Sequence, residues 1–339
     1  MRTYNIPIFV PHRGCPHDCV FCNQKRITGT SSGVTAEDVK NAVEMSLKTL
    51  HKTDRRVEVA FFGGSFTGIP IEEQTQLLSA AYEYVKEGSV DGIRLSTRPD
   101  YITPEILDNL KKYGVTTIEL GVQSLDDEVL LKSNRGHTQE DVINAVNLIR
   151  KYPFTLGLQM MTGLPGDTAE KSIQTAEKII ALKPDIVRIY PTLTIKDTRL
   201  EEMLKTGEYV PQSLQEAVDL CAELVGMFEK NNITVIRVGL QTTDEISESG
   251  DSVVAGPLHS AFGELVESKI YLGIILNALK DYHSDNAKIY VAPTEISKAT
   301  GNKKSNIQEI KKLTGIDIKI CADDTLHKRE VKAVAVKTT

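Results

Sequence analysis

The chain has 339 residues, 40% of them hydrophobic, enough for one large domain or for one plus a small appendage. Forty basic against 46 acidic residues leave a net charge of −6, which excludes a generally basic nucleic-acid binder but not a local basic patch. No run approaches the roughly 18 apolar residues of a membrane helix, the start MRTYNIPIFVPHRG lacks a secretory apolar region, and five cysteines with two isolated members (Cys221 and Cys321) do not form a secreted disulfide pattern, so a cytoplasmic protein with no membrane partner is expected.

In chain order, β-rich apolar runs recur at NIPIFVP, VEVAFFGG, GIRLSTRP, VTTIELGVQS, FTLGLQMMTGLPG and DIVRIYP, followed by a weaker NITVIRVG. Helical spacing falls between them, over Ala36 to Leu50, Glu72 to Lys86, Glu105 to Tyr113, Gln139 to Lys151, Ala169 to Leu182 and Leu214 to Lys230. Such alternation predicts an α/β fold with a parallel sheet, either doubly wound or a barrel. The strand ends favour a partial (β/α) TIM-like barrel of about six βα units. Gly63 and Gly64, Ser96 and Arg98, Gln123 and Ser124, and Thr162 and Gly163 would converge on one mouth.

After Gly239 the pattern changes. QTTDEISESGDSVVAGPLHS is turn-rich and reads as a linker or a cap. Beyond it a helix from Ala261 to Lys280, a strand AKIYVAP, two short helices and strands IDIKICA and REVKAVAVK predict a small C-terminal α/β domain. The expected division is 1–240 and 241–339.

Three of the five cysteines, Cys15, Cys19 and Cys22, sit in GCPHDCVFCNQ, directly after the first strand. Three thiolates on one loop suit an iron–sulfur centre or zinc; His12 and His17 flank them, so a Cys3His zinc site is the alternative. If the metal is a [4Fe-4S] cluster, three cysteines leave one iron open to a small molecule. The C-x3-C-x-aromatic-C spacing, with Phe21 as the aromatic, resembles the radical S-adenosylmethionine (SAM) superfamily. The resemblance implies that SAM chelates the open iron and that one electron from the cluster cleaves it to methionine and a 5′-deoxyadenosyl radical.

The same resemblance implies a cofactor-binding set beyond the cysteines. Gly63, Gly64 and Ser65 of FFGGSFTG occupy the position where backbone carbonyls take the SAM amino group; Ser65 replaces the usual acid, so only backbone recognition carries over. Ser96 stands where a SAM-contacting polar side chain falls. Gln123 and Arg135 match residues that line the SAM site, Arg135 as a grip on the methionine carboxylate or, alternatively, as a loop charge paired with Asp126 or Asp127. Gln159 falls at a ribose-binding position. Asp167 or Thr168 is a plausible helix cap, Met160 and Met161 read as core, and His137 is a weak catalytic candidate.

The set PHRGCPHDCVFCNQ, FFGGSFTG, STRPDYI and GVQSLDDEVL, within residues 4 to 240, is most similar to the Elongator catalytic subunit branch. That branch implies a tRNA substrate modified at C5 of a wobble uridine, and a reducing donor such as flavodoxin or ferredoxin. Too few residues follow the barrel for that branch's acetyltransferase domain, so its acetyl transfer is not carried over. From Thr294 to Thr339 nine lysines and Arg329 face six acidic residues, a net of +4, which leaves −10 on residues 1–293. This polarity, and the likeness of GNKKSNIQEIKKLTGIDIKI to part of a KH RNA-binding module, point to tRNA as a partner, although the second glycine of the KH G-x-x-G loop is Lys304. Two other readings stay open: a radical SAM enzyme acting on a small molecule such as a tetrapyrrole, and a non-catalytic, metal-stabilised RNA-binding protein.

Overall fold

A computed structural model describes residues 2–10, 19–23, 33–50, 55–240 and 250–335. Cys15, His12 and His17, and residues 241–249 of the polar stretch after Gly239, lie outside the described residues. The chain forms two compact units, residues 1–213 with 228–258 and residues 214–227 with 259–339.

The first unit begins with β1 (Arg2–Val10), α1 (Ala36–Thr49), β2 (Arg55–Gly63), α2 (Ile71–Lys86), β3 (Gly92–Thr97), α3 (Pro104–Lys112) and β4 (Val115–Gln123). Two helices follow β4, the short α4 (Asp127–Lys132) and α5 (Gln139–Ile149), before β5 (Thr155–Thr162), α6 (Ala169–Ala181) and β6 (Ile186–Pro191). After β6 come β7 (Thr194–Ile195), α7 (Arg199–Thr206), α8 (Leu214–Lys230), β8 (Thr234–Val238) and β9 (Val253–Ala255). Strands β1 to β6 and β8 pair in that order, every pair parallel, into a curled half-barrel. This is the partial barrel expected from the alternating pattern, with β8 as the seventh strand.

Several helices of the first unit start at side-chain caps. Thr35 and Asp38 form a reciprocal capping box at α1, and Thr138 with Asp141 does the same at α5. Asp126 caps α4 and Thr168 caps α6, so the cap beside GLPG is Thr168 rather than Asp167. Alternate residues of each strand, among them Phe61, Leu95, Leu120, Leu158 and Ile189, are buried. Met160 joins them and is fully buried, whereas Met161 is only partly covered.

The opposite face of the sheet carries a ladder of charged residues from four strands: Glu58, with Arg56 beside it on β2, then Arg94, Glu119 and Arg188. Arg94 bridges Glu58 (2.8 Å) and Glu119 (3.1 Å), and Arg188 grips Glu119 with two nitrogens. Gly157 makes room for the ladder, because a Cβ there would come within 2.8 Å of Glu119 Cγ. Arg188 also stacks on Phe62, 5.5 Å from the ring centre, and donates to Tyr190 Oη at 3.2 Å.

The second unit contains residues 214–227 of α8, then α9 (Phe262–Ala278), β10 (Asn286–Val291), α10 (Ile296–Thr300), α11 (Ser305–Thr314), β11 (Asp317–Ala322) and β12 (Lys332–Ala335). Its sheet has the order β11-β10-β12, parallel then antiparallel. Tyr271, Ile275, Ile289, Val291 and Ile310 pack its core. The turn between α10 and α11 is Gly301 to Lys304, where Lys303 and Lys304 adopt left-handed backbone angles (φ 50° and 65°). Buried Asn306 closes this turn by donating to the carbonyls of Ser268, Lys298 and Ala299.

Candidate cofactor site at the strand ends

The described part of the cysteine loop is held from two sides. Val20 N donates to the Ser133 carbonyl after α4 (3.1 Å), and the Val20 carbonyl accepts from Leu200 N at the start of α7 (2.7 Å). The side chains of Val20, Leu200 and Tyr209 form a small apolar cluster, and Phe21 packs against it. Between these anchors the chain turns, with Cys22 N donating to the Cys19 carbonyl at 2.9 Å. The Cys19 side chain is buried and that of Cys22 is half-buried. Two soft donors on one tight turn suit a metal or cluster.

Arg135 reaches this turn from the segment between α4 and α5. Its Nη1 lies 3.4 Å from Cys19 Sγ, its Nη2 donates to the Gly121 carbonyl at 2.8 Å, and its buried Nε has no partner among the described residues. The carboxylates of Asp126 and Asp127 are engaged elsewhere, on Val129 N and Gln139 N, so Arg135 is not a loop charge paired with either. A Cβ at Gly121 would meet Gln123 Nε2 at 2.8 Å and Arg135 Nη2 at 2.9 Å, so a side chain there would displace both groups.

Gln123 ends β4 at a register shift, in the left-handed region with φ 68°. Only a surrounding structure that over-determines it keeps a non-glycine residue there. Its Oε1 accepts from Gln159 Nε2 at 3.1 Å, which brings the two expected glutamines together. Ser96 is opposite Glu119 in the β3–β4 register, and its hydroxyl has no hydrogen-bond partner among the described residues.

At the end of β2, Gly63 has φ 101° and Gly64 N donates to the Val10 carbonyl at 2.9 Å. The Ser65 hydroxyl is buried and internally engaged: it pairs with Thr97 Oγ1 (2.9 Å) and accepts from Arg98 N (3.2 Å). Arg98 itself is buried, with two nitrogens on Asp100 at 2.9 and 3.0 Å. It serves as a fixed structural charge at the β3 end. Asp167 ties the GLPG turn by accepting from Gly163 N and Ser172 Oγ, and burial raises its pKa above the usual aspartate value.

His137 is buried beneath this set. Its Nε2 faces the Val122 carbonyl at 3.2 Å, so Nε2 carries the proton and Nδ1 is an unpartnered acceptor. Burial, and then the positive charges of Arg135 and Arg98, push its pKa down to about 3, which holds the ring neutral. A neutral imidazole turned onto a backbone carbonyl braces β4. The interior ladder of Glu58, Arg94, Glu119 and Arg188 is a feature that the sequence reading missed. Its signal is one charged residue inside each of four otherwise apolar strand runs.

Residues 9–179 match the family model of the radical SAM superfamily, and residues 184–271 match that of the radical SAM C-terminal domain. The tRNA uridine(34) acetyltransferase of Methanocaldococcus infernus is 31% identical over 198 residues, covering 52% of this chain and 37% of that protein. Human Elongator complex protein 3 is 29% identical over 262 residues, 64% of this chain and 48% of that protein. The chain thus spans less than half the length of these curated relatives. The solved structure of M. infernus Elp3 lacking its N-terminal residues 1–46 superposes with a TM-score of 0.63 at 24% identity, covering 80% of this chain and 63% of that one, a likeness of fold.

Proposed function

This chain belongs to the radical SAM superfamily, and from that premise we propose that it is a tRNA-modifying enzyme whose cluster is held by Cys15, Cys19 and Cys22. The described residues fit a [4Fe-4S] cluster and SAM. Two cysteine side chains share one turn, a guanidinium lies against one of them, and the buried Nε of that guanidinium has no partner among the described residues. When bound, the pair supplies one-electron cleavage of SAM, the hard chemistry that the protein need only orient and shield.

The chain's own residues have separable tasks in this reading. Arg135 offers donors to the methionine carboxylate and to the cluster sulfur, a fixed charge already positioned by the Gly121 carbonyl. The carbonyls at Gly63 and Gly64 take the SAM amino group. Gln123, Gln159 and Ser96 supply polar contacts to the ribose, and Phe21 sets the packing of the turn between Cys19 and Cys22. Tyr190 and Phe62, braced by Arg188, line the inner face of the half-barrel.

The RNA substrate is supported by the relatives named for tRNA uridine(34) and for Elongator complex protein 3, which match the radical SAM part. An electron donor of the flavodoxin or ferredoxin kind and a cytoplasmic setting complete the proposal. No helix among the described residues is long and apolar enough to cross a membrane. The observation that carries the reading is the convergence of Cys19, Cys22 and Arg135. Its test is anaerobic reconstitution with iron and sulfide, reductive SAM cleavage with cellular tRNA, and nucleoside mass spectrometry. A new modified nucleoside with 5′-deoxyadenosine release is expected; one equivalent of zinc with no SAM turnover would overturn the enzyme mechanism, and SAM turnover with unchanged tRNA would overturn the substrate.

A further inference from the structure

The C-terminal sheet has two chemically unlike faces. Ala287, Ile289 and Val291 of β10 and Ile318 of β11 are buried in the core shared with α9, α10 and α11. Their neighbours in sequence point the other way: Lys288 and Tyr290 on β10, Lys319 on β11, and Lys332 on β12. The register sets Lys288 directly beside Lys319, and Tyr290 directly beside Lys332.

Two lysines opposite each other across a ladder repel, and such a pair is ordinarily destabilising. All three lysines are exposed, and none forms an ion pair among the described residues. Two acids lie near this face: Asp317, two residues before Lys319 on β11, is paired with Lys311, and Asp323 feels the charge of Lys332 but is held chiefly by hydrogen bonds from Thr325. Several lysines elsewhere in this unit are paired, although Lys280, Lys303 and Lys304, like the three on the sheet, form no ion pair among the described residues. Lys298 pairs with Glu295, Lys311 with Asp317 and Lys312 with Glu309. The sheet face thus concentrates uncompensated positive charge around one half-buried aromatic ring, in a chain whose first 293 residues carry −10.

We infer that this face, with Lys288, Lys319 and Lys332 around Tyr290, binds an unpaired stretch of RNA, the lysines on its phosphates and the tyrosine ring stacked on a base. The inference rests on the reading of the substrate as RNA and goes further by naming the surface. An acidic peptide would use the three charges but leave the ring without a role; a nucleotide strand uses both. Each phosphate neutralised on a single strand contributes about 0.7 to the slope of log K against log salt.

The test measures binding of fluorescent oligouridylate and of bulk tRNA by the reconstituted full chain at several salt concentrations. The triple variant K288Q/K319Q/K332Q is expected to bind oligouridylate at least tenfold more weakly at low salt, with a slope about two units shallower, since three lysine–phosphate pairings are removed at about 0.7 each. Tyr290→Leu is expected to weaken binding severalfold with the slope unchanged. K303Q/K304Q, in the turn on the other side of the unit, should bind as wild type, and reductive SAM cleavage without RNA should be the same in all four proteins. Wild-type affinity and slope in the triple variant, loss of affinity confined to K303Q/K304Q, or tighter binding to phosphatidylserine vesicles than to RNA would each overturn the inference. If the wild-type chain bound neither RNA, the RNA reading of the function would fall with it; if only the sheet variants behaved as wild type, that reading would survive without this surface.

Discussion

Arg135 and Cys19 are 116 residues apart in sequence, yet the arginine Nη1 lies 3.4 Å from the thiol sulfur. A guanidinium held at this position presents a fixed cation to an anionic ligand. Hydrogen bonds to charged groups contribute about 1.5–3 kcal/mol. Arg135→Ala is therefore expected to lower kcat/KM for SAM cleavage by roughly 10- to 150-fold, with KM raised and iron content close to wild type. Arg135→Lys should recover only part, because one ammonium cannot serve both Cys19 and the Gly121 carbonyl. Unaltered SAM kinetics in Arg135→Ala would remove this residue from the site.

The five cysteines separate into two sets by sequence position, three clustered at Cys15, Cys19 and Cys22 and two isolated at Cys221 and Cys321. Cys221 is fully buried, and burial pushes its thiol up to about 12, so it stays protonated and inert at neutral pH. Substituting Cys15, Cys19 or Cys22 by alanine should each abolish the iron–sulfur absorption of the reconstituted protein, whereas Cys221→Ala and Cys321→Ala should keep it. Iron and sulfide analysis of the five variants checks the assignment, and a cluster retained without Cys15 would contradict it.

Glu119 sits between two arginines inside the half-barrel, with Arg94 on one side and Arg188 on the other. Removing one member of a buried charge network leaves its partners desolvated and unpaired, a loss of about 3–5 kcal/mol. Glu119→Ala is expected to lower stability by that amount, read as a lower urea midpoint at unchanged slope. Arg56→Ala is the control. Its carboxylate partner Glu58 keeps Arg94 and its own side chain is partly exposed, so about 1 kcal/mol or less should be lost.

The alternating strands and helices were legible because both periods recur with clear punctuation, and the helix from Gln139 differs from its predicted end by only two residues. The helix Arg199–Thr206 was not, since it buries a single residue, Leu200, and so leaves no apolar stripe to read. Nor was the pairing of β7 with β9, only two or three residues long on each strand. Within the site, the cysteine spacing is local and therefore visible. The partners of Arg135 are not, because β4 and the cysteine turn meet only in three dimensions. Arg98 and Asp100 illustrate the converse: a pair two residues apart was present in the sequence, and its ion pair engages Nε and Nη2 of Arg98.

His137 gives the fold a defined acid sensitivity. Its ring is held neutral by burial and by the charges of Arg135 and Arg98, with a pKa of about 3 in the folded chain against about 6.5 when unfolded. Between those values the unfolded state binds a proton that the native state does not, so stability rises with pH across the window and falls as the solution is acidified from pH 6.5 toward 3. The slope from this one group is about 1.4 kcal/mol per pH unit. His137→Gln, which keeps a donor for the Val122 carbonyl but cannot titrate, should be less stable than wild type or close to it at pH 7.5 and should lose less on going to pH 5. Urea titrations of both proteins at the two pH values measure the difference directly, and parallel losses would show that the imidazole is protonated in the folded chain.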